Sequence, residues 1–455
     1  MKHWALVVGP GAALVVALGL HFNGMSDAIA WTAGVTVLTA LWWIFEPIPI
    51  PATSLIPLAV LPLVGVMDYT QVGAAYGDKL ILLMMGGFLL SSAMERSGAH
   101  RRIALSMVRA MGGGGGRRMV LGFMLASAVL SMWISNTATA LMLLPIVMAV
   151  LEKVEDDRLK TSLLLGVAYA ASIGGIGTPI GTPPNLVFMN QYHLLTGREP
   201  SFFRWMMWAL PIVLIMLPIA WLWLTRGVGK AQKIELPPVG GWRVEEVRTL
   251  SVFVVTAVLW VTRTEPFGGW SEWTGLTSAH DSSIGLLAAI ALFLIPNGKG
   301  EKLLDWQTAR KIPWGILLLF GSGIAVASAF KSSGLSEAIG NELSAIGKLN
   351  VILVMGLICL AVTMLTEVTS NTATANVLLP IFAAMALAGA IEPRLIMVPA
   401  TISASFAFML PVATPPNAIV FGADHLTVRL MAREGLVLNL IGVVVVTGVC
   451  YLMFG

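Results

Sequence analysis

The sequence predicts an all-α polytopic membrane protein, with about 11 transmembrane helices and two re-entrant helical hairpins arranged as an inverted repeat. Three observations predict it. Of 455 residues, 57% are hydrophobic and only 11% charged, whereas a soluble domain spends about a quarter of its residues on charge. Apolar runs recur at the roughly 17–25 residues that a helix needs to cross about 30 Å of hydrocarbon. The hexapeptide SNTATA appears twice, beginning at Ser135 and at Ser370, each time inside an apolar segment. The 46 glycines and 24 prolines fit this class, because membrane helices carry and break at both residues.

In chain order, spans are predicted near 4–20, 28–45, 53–67 and 78–96. Residues 4–20, preceded by Lys2, also have the outline of a signal peptide, with "DAIA" at 27–30 as a faint cleavage site. The many spans that follow favour an uncleaved first helix. A paired segment at 119–150, a broken span at 161–195 and a span at 204–226 complete the first half. After a polar linker at 229–247, the second half reads as spans near 248–264, 282–296 and 312–331. It ends with a paired segment at 350–390, a broken span at 395–423 and a last span at 434–454. The glycine run at 112–116 has no strand before it and no Lys-Ser/Thr after it, so it reads as a flexible connector and not a phosphate loop.

Charge supplies the orientation. If the paired segments enter and leave on one side, most Lys and Arg residues fall in loops on the side of the N-terminus. These include Lys2, the cluster from Arg96 to Arg118, 153–160, the central linker, 299–311, Arg429 and Arg433. The positive-inside rule then makes the N-terminus cytoplasmic and the C-terminus external. The formal net charge of +4 is explained by these loops and does not call for a nucleic-acid partner. Cys359 and Cys450 lie in apolar runs and read as packing residues. The six histidines sit at span ends or in loops, so no midplane relay is evident.

The SNTATA copies lie 235 residues apart, as do Pro145 and Pro380. Downstream, "GTPPN" at 181–185 is answered by "ATPPN" at 413–417, and upstream "GGFLLSSAMERSG" is echoed by "SGIAVASAFKSSG". Three anchors at nearly one offset imply a duplication. The predicted spans put an odd number of crossings between the copies, so they face opposite ways, a recurring plan of secondary transporters.

Packing alone explains neither the repeated Asn nor the double prolines. Pro183-Pro184 and Pro415-Pro416 remove amide donors and force the chain before them out of helix. Carbonyls at Gly181, Thr182, Ala413 and Thr414 then lack helical partners, which hydrocarbon tolerates only at a cavity or ligand. The start of each return helix offers amides to an anion, while Ser, Thr and Asn oxygens suit a hard cation. Neither motif contains Lys or Arg, so a dianion held there must be balanced by bound cations and helix ends.

"LSMWISNTATA", "ASIGGIGTPIGTPPN" and "FMLPVATPPNAIVFG" resemble the divalent anion/sodium symporter family, specifically its bacterial dicarboxylate members, over essentially the whole chain. The resemblance implies a substrate shell of Ser135, Asn136, Thr137, Ser370, Asn371 and Thr372, with Thr182, Thr414 and Pro415. It implies one sodium site of Ser131, Ser135, Asn136 and Gly181, and another of Thr366, Thr369, Asn371 and Ala413. It also implies sodium as coupling ion with no organic cofactor, a homodimer in the plasma (inner) membrane, and an elevator motion. In that motion transport parts at 112–228 and 345–455 slide past scaffold parts at 1–111 and 248–335.

Sodium-coupled uptake of C4-dicarboxylates (succinate, malate, fumarate) is therefore expected. A sodium-independent exchanger, or a tricarboxylate or sulfate carrier, is the alternative on the same fold. A membrane enzyme would need an acid pair, an activated nucleophile or a metal cluster, and the sequence offers no such motif. A channel would conduct without saturable exchange. Glu367 has no counterpart in the first repeat, where Met132 stands. An intramembrane acid is a functional candidate by default, although a carboxylate anchoring the hairpin through hydrogen bonds is the favoured reading.

Overall fold

The computed structural model describes residues 3–111, 115–229, 240–343 and 349–455. Lys2, most of the glycine run, the centre of the linker at 230–239 and the start of the expected second transport part at 345–348 therefore lie outside the described residues. Among those described, every extended element is a helix; the single β-contact is an isolated bridge between Pro296 and Lys302.

Among the described residues, seven helices are long and apolar enough to cross a membrane: Trp4–Phe22, Asp27–Phe45, the segment Tyr69–Ser97, Phe202–Leu224, Trp314–Ser333, Asn371–Ala388 and Val428–Phe454. Four shorter apolar segments accompany them, at Ile50–Leu63, Asn136–Leu151, Asp281–Leu294 and Val351–Thr366. The expected span at 53–67 is instead two short helices, Ile50–Thr53 and Ile56–Leu63. Each has a proline near its start, where the missing N–H costs nothing and the fixed φ begins a new helix. Val244–Val261 is a full helix, but its first turn carries Glu245 and Glu246, so it lacks an apolar end.

The upstream echo of the repeat has a common geometry. Lys79–Ser97 stops at Gly98 (φ 76°) and Trp314–Ser333 stops at Gly334 (φ 85°), both in the left-handed region that glycine adopts freely. An amphipathic helix follows each stop, Ala99–Ala110 in one half and Leu335–Leu343 in the other. Neither was expected from the apolar runs, because neither is apolar enough to read as a span.

Asp157–Gly175 forms the centre of the molecule and is buried continuously from Thr161 to Gly175. It packs along Gly116–Ser131, the first arm of the first hairpin. The approach is close: a Cβ added to Gly174 would lie 2.2 Å from the Ala128 carbonyl oxygen. Small residues permit such contact between membrane helices. The two halves then exchange partners. Pro183–Thr196 packs on Asn371–Ala388, the return arm of the second hairpin, while Pro415–Phe421 packs on Asn136–Leu151, the return arm of the first.

Candidate functional site

Each hairpin turns just before its SNTATA motif. Met132–Ser135 joins the first pair of arms and Glu367–Ser370 joins Val351–Thr366 to Asn371–Ala388. Ser135 and Ser370 are the N-caps of the return helices. The broken helices resume at Pro183 and Pro415, with Thr182 and Thr414 as extended N-caps. Four helices therefore begin at one place; the two return helices bring backbone amides there, while the two broken helices begin Pro-Pro and bring none at their first two positions. The capping hydroxyls are used in opposite senses. Ser135 Oγ accepts from Ala138 N (3.2 Å) and Thr414 Oγ1 from Asn417 N (3.2 Å), while Ser370 and Thr182 make no side-chain cap bond.

Asn185 and Asn417, left without a role by the sequence reading, hold the broken segments. Asn185 Nδ2 donates to the Thr178 and Gly175 carbonyls (2.7 and 3.2 Å). Asn417 Nδ2 donates to Leu410 and Ala407 at the same two sequence separations (both 3.0 Å). Each amide satisfies carbonyls that the broken helix would otherwise leave bare in a buried setting. The identical position in both copies, directly after Pro-Pro, was the available signal.

All nine residues expected in the substrate shell line one cavity of about 790 Å³: Ser135, Asn136, Thr137, Thr182, Ser370, Asn371, Thr372, Thr414 and Pro415. Of the expected cation ligands, Gly181, Thr369 and Ala413 line it as well. Ser131 and Thr366 are fully buried behind the tips. The Ser131 hydroxyl donates to Asn136 Oδ1 (2.5 Å), and the Thr366 hydroxyl lies 2.7 Å from Asn371 Oδ1 and 2.9 Å from the Ala404 carbonyl. In both copies the Asn oxygen thus faces a hydroxyl behind the tip.

The surroundings of Gly181 fit a hard cation. A Cβ there would fall 2.3 Å from the Gly175 carbonyl oxygen, 2.9 Å from that of Ser131 and 3.0 Å from that of Met132. Carbonyl oxygens therefore converge on space that only glycine leaves open. The second copy has Ala413 at this register and adds hydroxyls instead: Thr369 Oγ1 lies 2.6 Å from Thr374 Oγ1. Much of the remaining cavity lining is apolar, with Ile44, Pro51, Met84, Phe88, Ile316 and Leu319 among its residues. The cavity lining includes neither Lys nor Arg, and its charged member is Glu46.

Glu367 does not line the cavity. Its two oxygens accept from Met409 N and Leu410 N (both 2.9 Å), and Asn439 Nδ2 donates to Oε1 (2.6 Å). Three donors on an acceptor-only group bind the second tip to the broken segment and to helix Val428–Phe454.

Residues 1–454 match the family described as the sodium:sulfate symporter transmembrane region. The chain belongs to this family. It is the divalent anion/sodium symporter family that the doubled motifs resemble, and a family of transporters, not enzymes. The sodium-dependent dicarboxylate transporter SdcS of Staphylococcus saprophyticus is 37% identical over 473 residues, covering 98% of this chain and 90% of that protein. SdcS of Staphylococcus aureus is 37% identical over 471 residues, with the same coverage. Among solved structures, the Alcanivorax borkumensis YdaH transporter superposes with a TM-score of 0.61 at 14% identity, covering 87% of this chain and 88% of that one. Neisseria gonorrhoeae MtrF gives 0.61 at 12% identity, covering 86% and 83%. These two support the likeness of fold alone.

Proposed function

We propose that this symporter-family chain couples inward movement of C4-dicarboxylates to sodium. One observation carries the reading: four helix starts, capped by Ser135, Thr182, Ser370 and Thr414, meet at a cavity without a basic side chain. The two tips suit the two ends of a dicarboxylate, with Asn136 and Asn371 each giving Nδ2 to a carboxylate and Oδ1 to the cation side. Without Lys or Arg, sodium at Ser131, Ser135, Asn136 and Gly181, and at Thr366, Thr369, Asn371 and Ala413, supplies the balancing charge. Anion and cation binding then become one electrostatic event.

The printed names of both relatives, sodium-dependent dicarboxylate transporters, support substrate class and coupling ion. The exchanged packing of the half-helices supports an inverted repeat whose transport parts, 112–228 and 345–455, move as a unit against 1–111 and 248–335. The loop charges support a cytoplasmic N-terminus and an external C-terminus, and family membership together with the apolar helices supports residence in the plasma membrane. The homodimer and the elevator motion rest on family membership.

Uptake of labelled succinate into proteoliposomes, with and without a sodium gradient, tests the reading. Saturable uptake that requires sodium is expected. Equal succinate counterflow in choline and sodium buffers overturns the coupling, and preference for citrate or sulfate overturns the substrate class.

A further inference from the structure

The cavity contains one residue whose chemistry opposes its cargo. Glu46 closes helix Asp27–Phe45 and lines the same cavity as the two tips. Its side chain is exposed and has no ion-pair or hydrogen-bond partner among the described residues, and no other lining residue carries a formal charge. Its backbone is in the left-handed region (φ 46°), uncommon for a residue with a Cβ. The sequence runs Glu46-Pro-Ile-Pro-Ile-Pro51, so three prolines stiffen the strand of chain that presents the carboxylate. That segment abuts the other half: a Cβ on Gly315 would lie 2.5 Å from Pro51 Cγ.

An unpaired carboxylate in this lining makes the empty cavity attractive to cations and repulsive to a dianion. Packing does not explain it, because an exposed acid stabilises no core. Capping does not explain it either, because a left-handed helix end is ordinarily glycine or asparagine. We propose that Glu46 is a coupling determinant: its charge holds the dicarboxylate off until sodium bound at the tips has offset it. The inference rests on the sodium-coupled reading above. The force is Coulombic and therefore doubles for a dianion relative to a monoanion. Across a wet, screened cavity it corresponds to roughly 2- to 10-fold in affinity.

The test is thermal stabilisation of the purified full chain by succinate, with sodium exchanged for choline at constant ionic strength. Wild type is expected to be stabilised by succinate only when sodium is present. For Glu46→Gln, the sodium midpoint measured without succinate should rise and succinate affinity at saturating sodium should also rise, each by roughly 2- to 10-fold, and Glu46→Lys should move both further. Glu46→Asp should behave as wild type. Monomethyl succinate should show a smaller shift than succinate. An unchanged sodium midpoint in both Gln and Lys variants, with normal succinate stabilisation in high sodium, overturns the role of Glu46 and leaves the transport reading standing. Absence of any sodium-dependent stabilisation in wild type overturns both.

Discussion

The two hairpin tips share a sequence and differ in what supports them. The first is buttressed by aromatic rings. Trp133 stacks on Phe202 (5.9 Å, 14°) and meets Phe253 edge-on (5.6 Å, 83°), and Phe202 stacks on Trp260 (5.4 Å, 11°). The second has Val368 at that register, 64% exposed and lining the cavity, and is tied down from behind by Glu367. Aromatic contacts to neighbouring helices dominate at the first tip, which also accepts from Thr178 through the Met132 carbonyl, whereas a buried carboxylate gathers the supports of the second. The Ser-Asn-Thr groups at the cavity are the same in both tips, while the supports behind them differ.

The comparison breaks first, if it is wrong, at the two asparagines. Asn136→Asp and Asn371→Asp each retain an oxygen for a cation but replace an N–H donor with a negative charge beside the substrate. Juxtaposed like charges cost several kcal/mol, so succinate affinity should fall by roughly 100-fold in either variant, with sodium binding partly retained. Calorimetric titration with succinate checks this, and an unchanged affinity in one variant would remove that tip from the substrate shell.

Glu367→Gln sharpens the difference in support. It places an amide NH2 against backbone donors, at a cost of about 2–3 kcal/mol. Met132→Ala, at the same register of the first tip, should cost under about 1.5 kcal/mol, because no polar partner is orphaned. Thermal unfolding in detergent measures both, and equal losses would refute the contrast.

Gly181→Ala addresses the cation side. Its new Cβ meets three carbonyl oxygens, so the sodium midpoint should rise by roughly 10-fold, whereas Ala413→Gly should change it little. Sodium-dependent quenching of tryptophan fluorescence reads both variants without substrate.

The smallest effect at neutral pH lies at the end of the first broken helix. Burial pushes the Glu199 carboxyl up, but hydrogen bonds and charges from His280 and Lys79 outweigh it and hold it down to about 2, against an ordinary 4.5. A depressed carboxylate contributes stability that is complete above about 4.5 and is lost as pH falls toward 2. The second broken helix has no ion pair over 422–427 among the described residues. Acid unfolding of wild type should therefore steepen between pH 4.5 and 2, and Glu199→Gln should flatten that slope. Circular dichroism against pH checks it.

Much of the fold was legible because hydropathy and proline punctuation are local. Spans expected at 204–226 and 312–331 appear as Phe202–Leu224 and Trp314–Ser333. The break after 161 appears between Gly175 and Pro183. What escaped was amphipathic or proline-broken: Ala99–Ala110, Leu335–Leu343 and the pair of short helices at 50–63. In the site, Asn136 and Asn371 were legible by repetition. Asn185 and Asn417 were equally repeated, but their acceptors become evident only once the helix breaks are seen.

By itself, the sequence determined that this chain is a helical membrane protein with a duplicated polar motif, because composition, period and repetition do not depend on what touches what. Only the tertiary structure decided that four helix starts share a cavity without a basic residue, that Glu367 faces Met409 and Leu410, and that Glu46 lines the same cavity as the tips. Those partners are separated along the chain by intervening helices. Whether a carboxylate is an anchor or a charge at the cavity wall depends on which donors the crossings bring to it, and no local pattern encodes that.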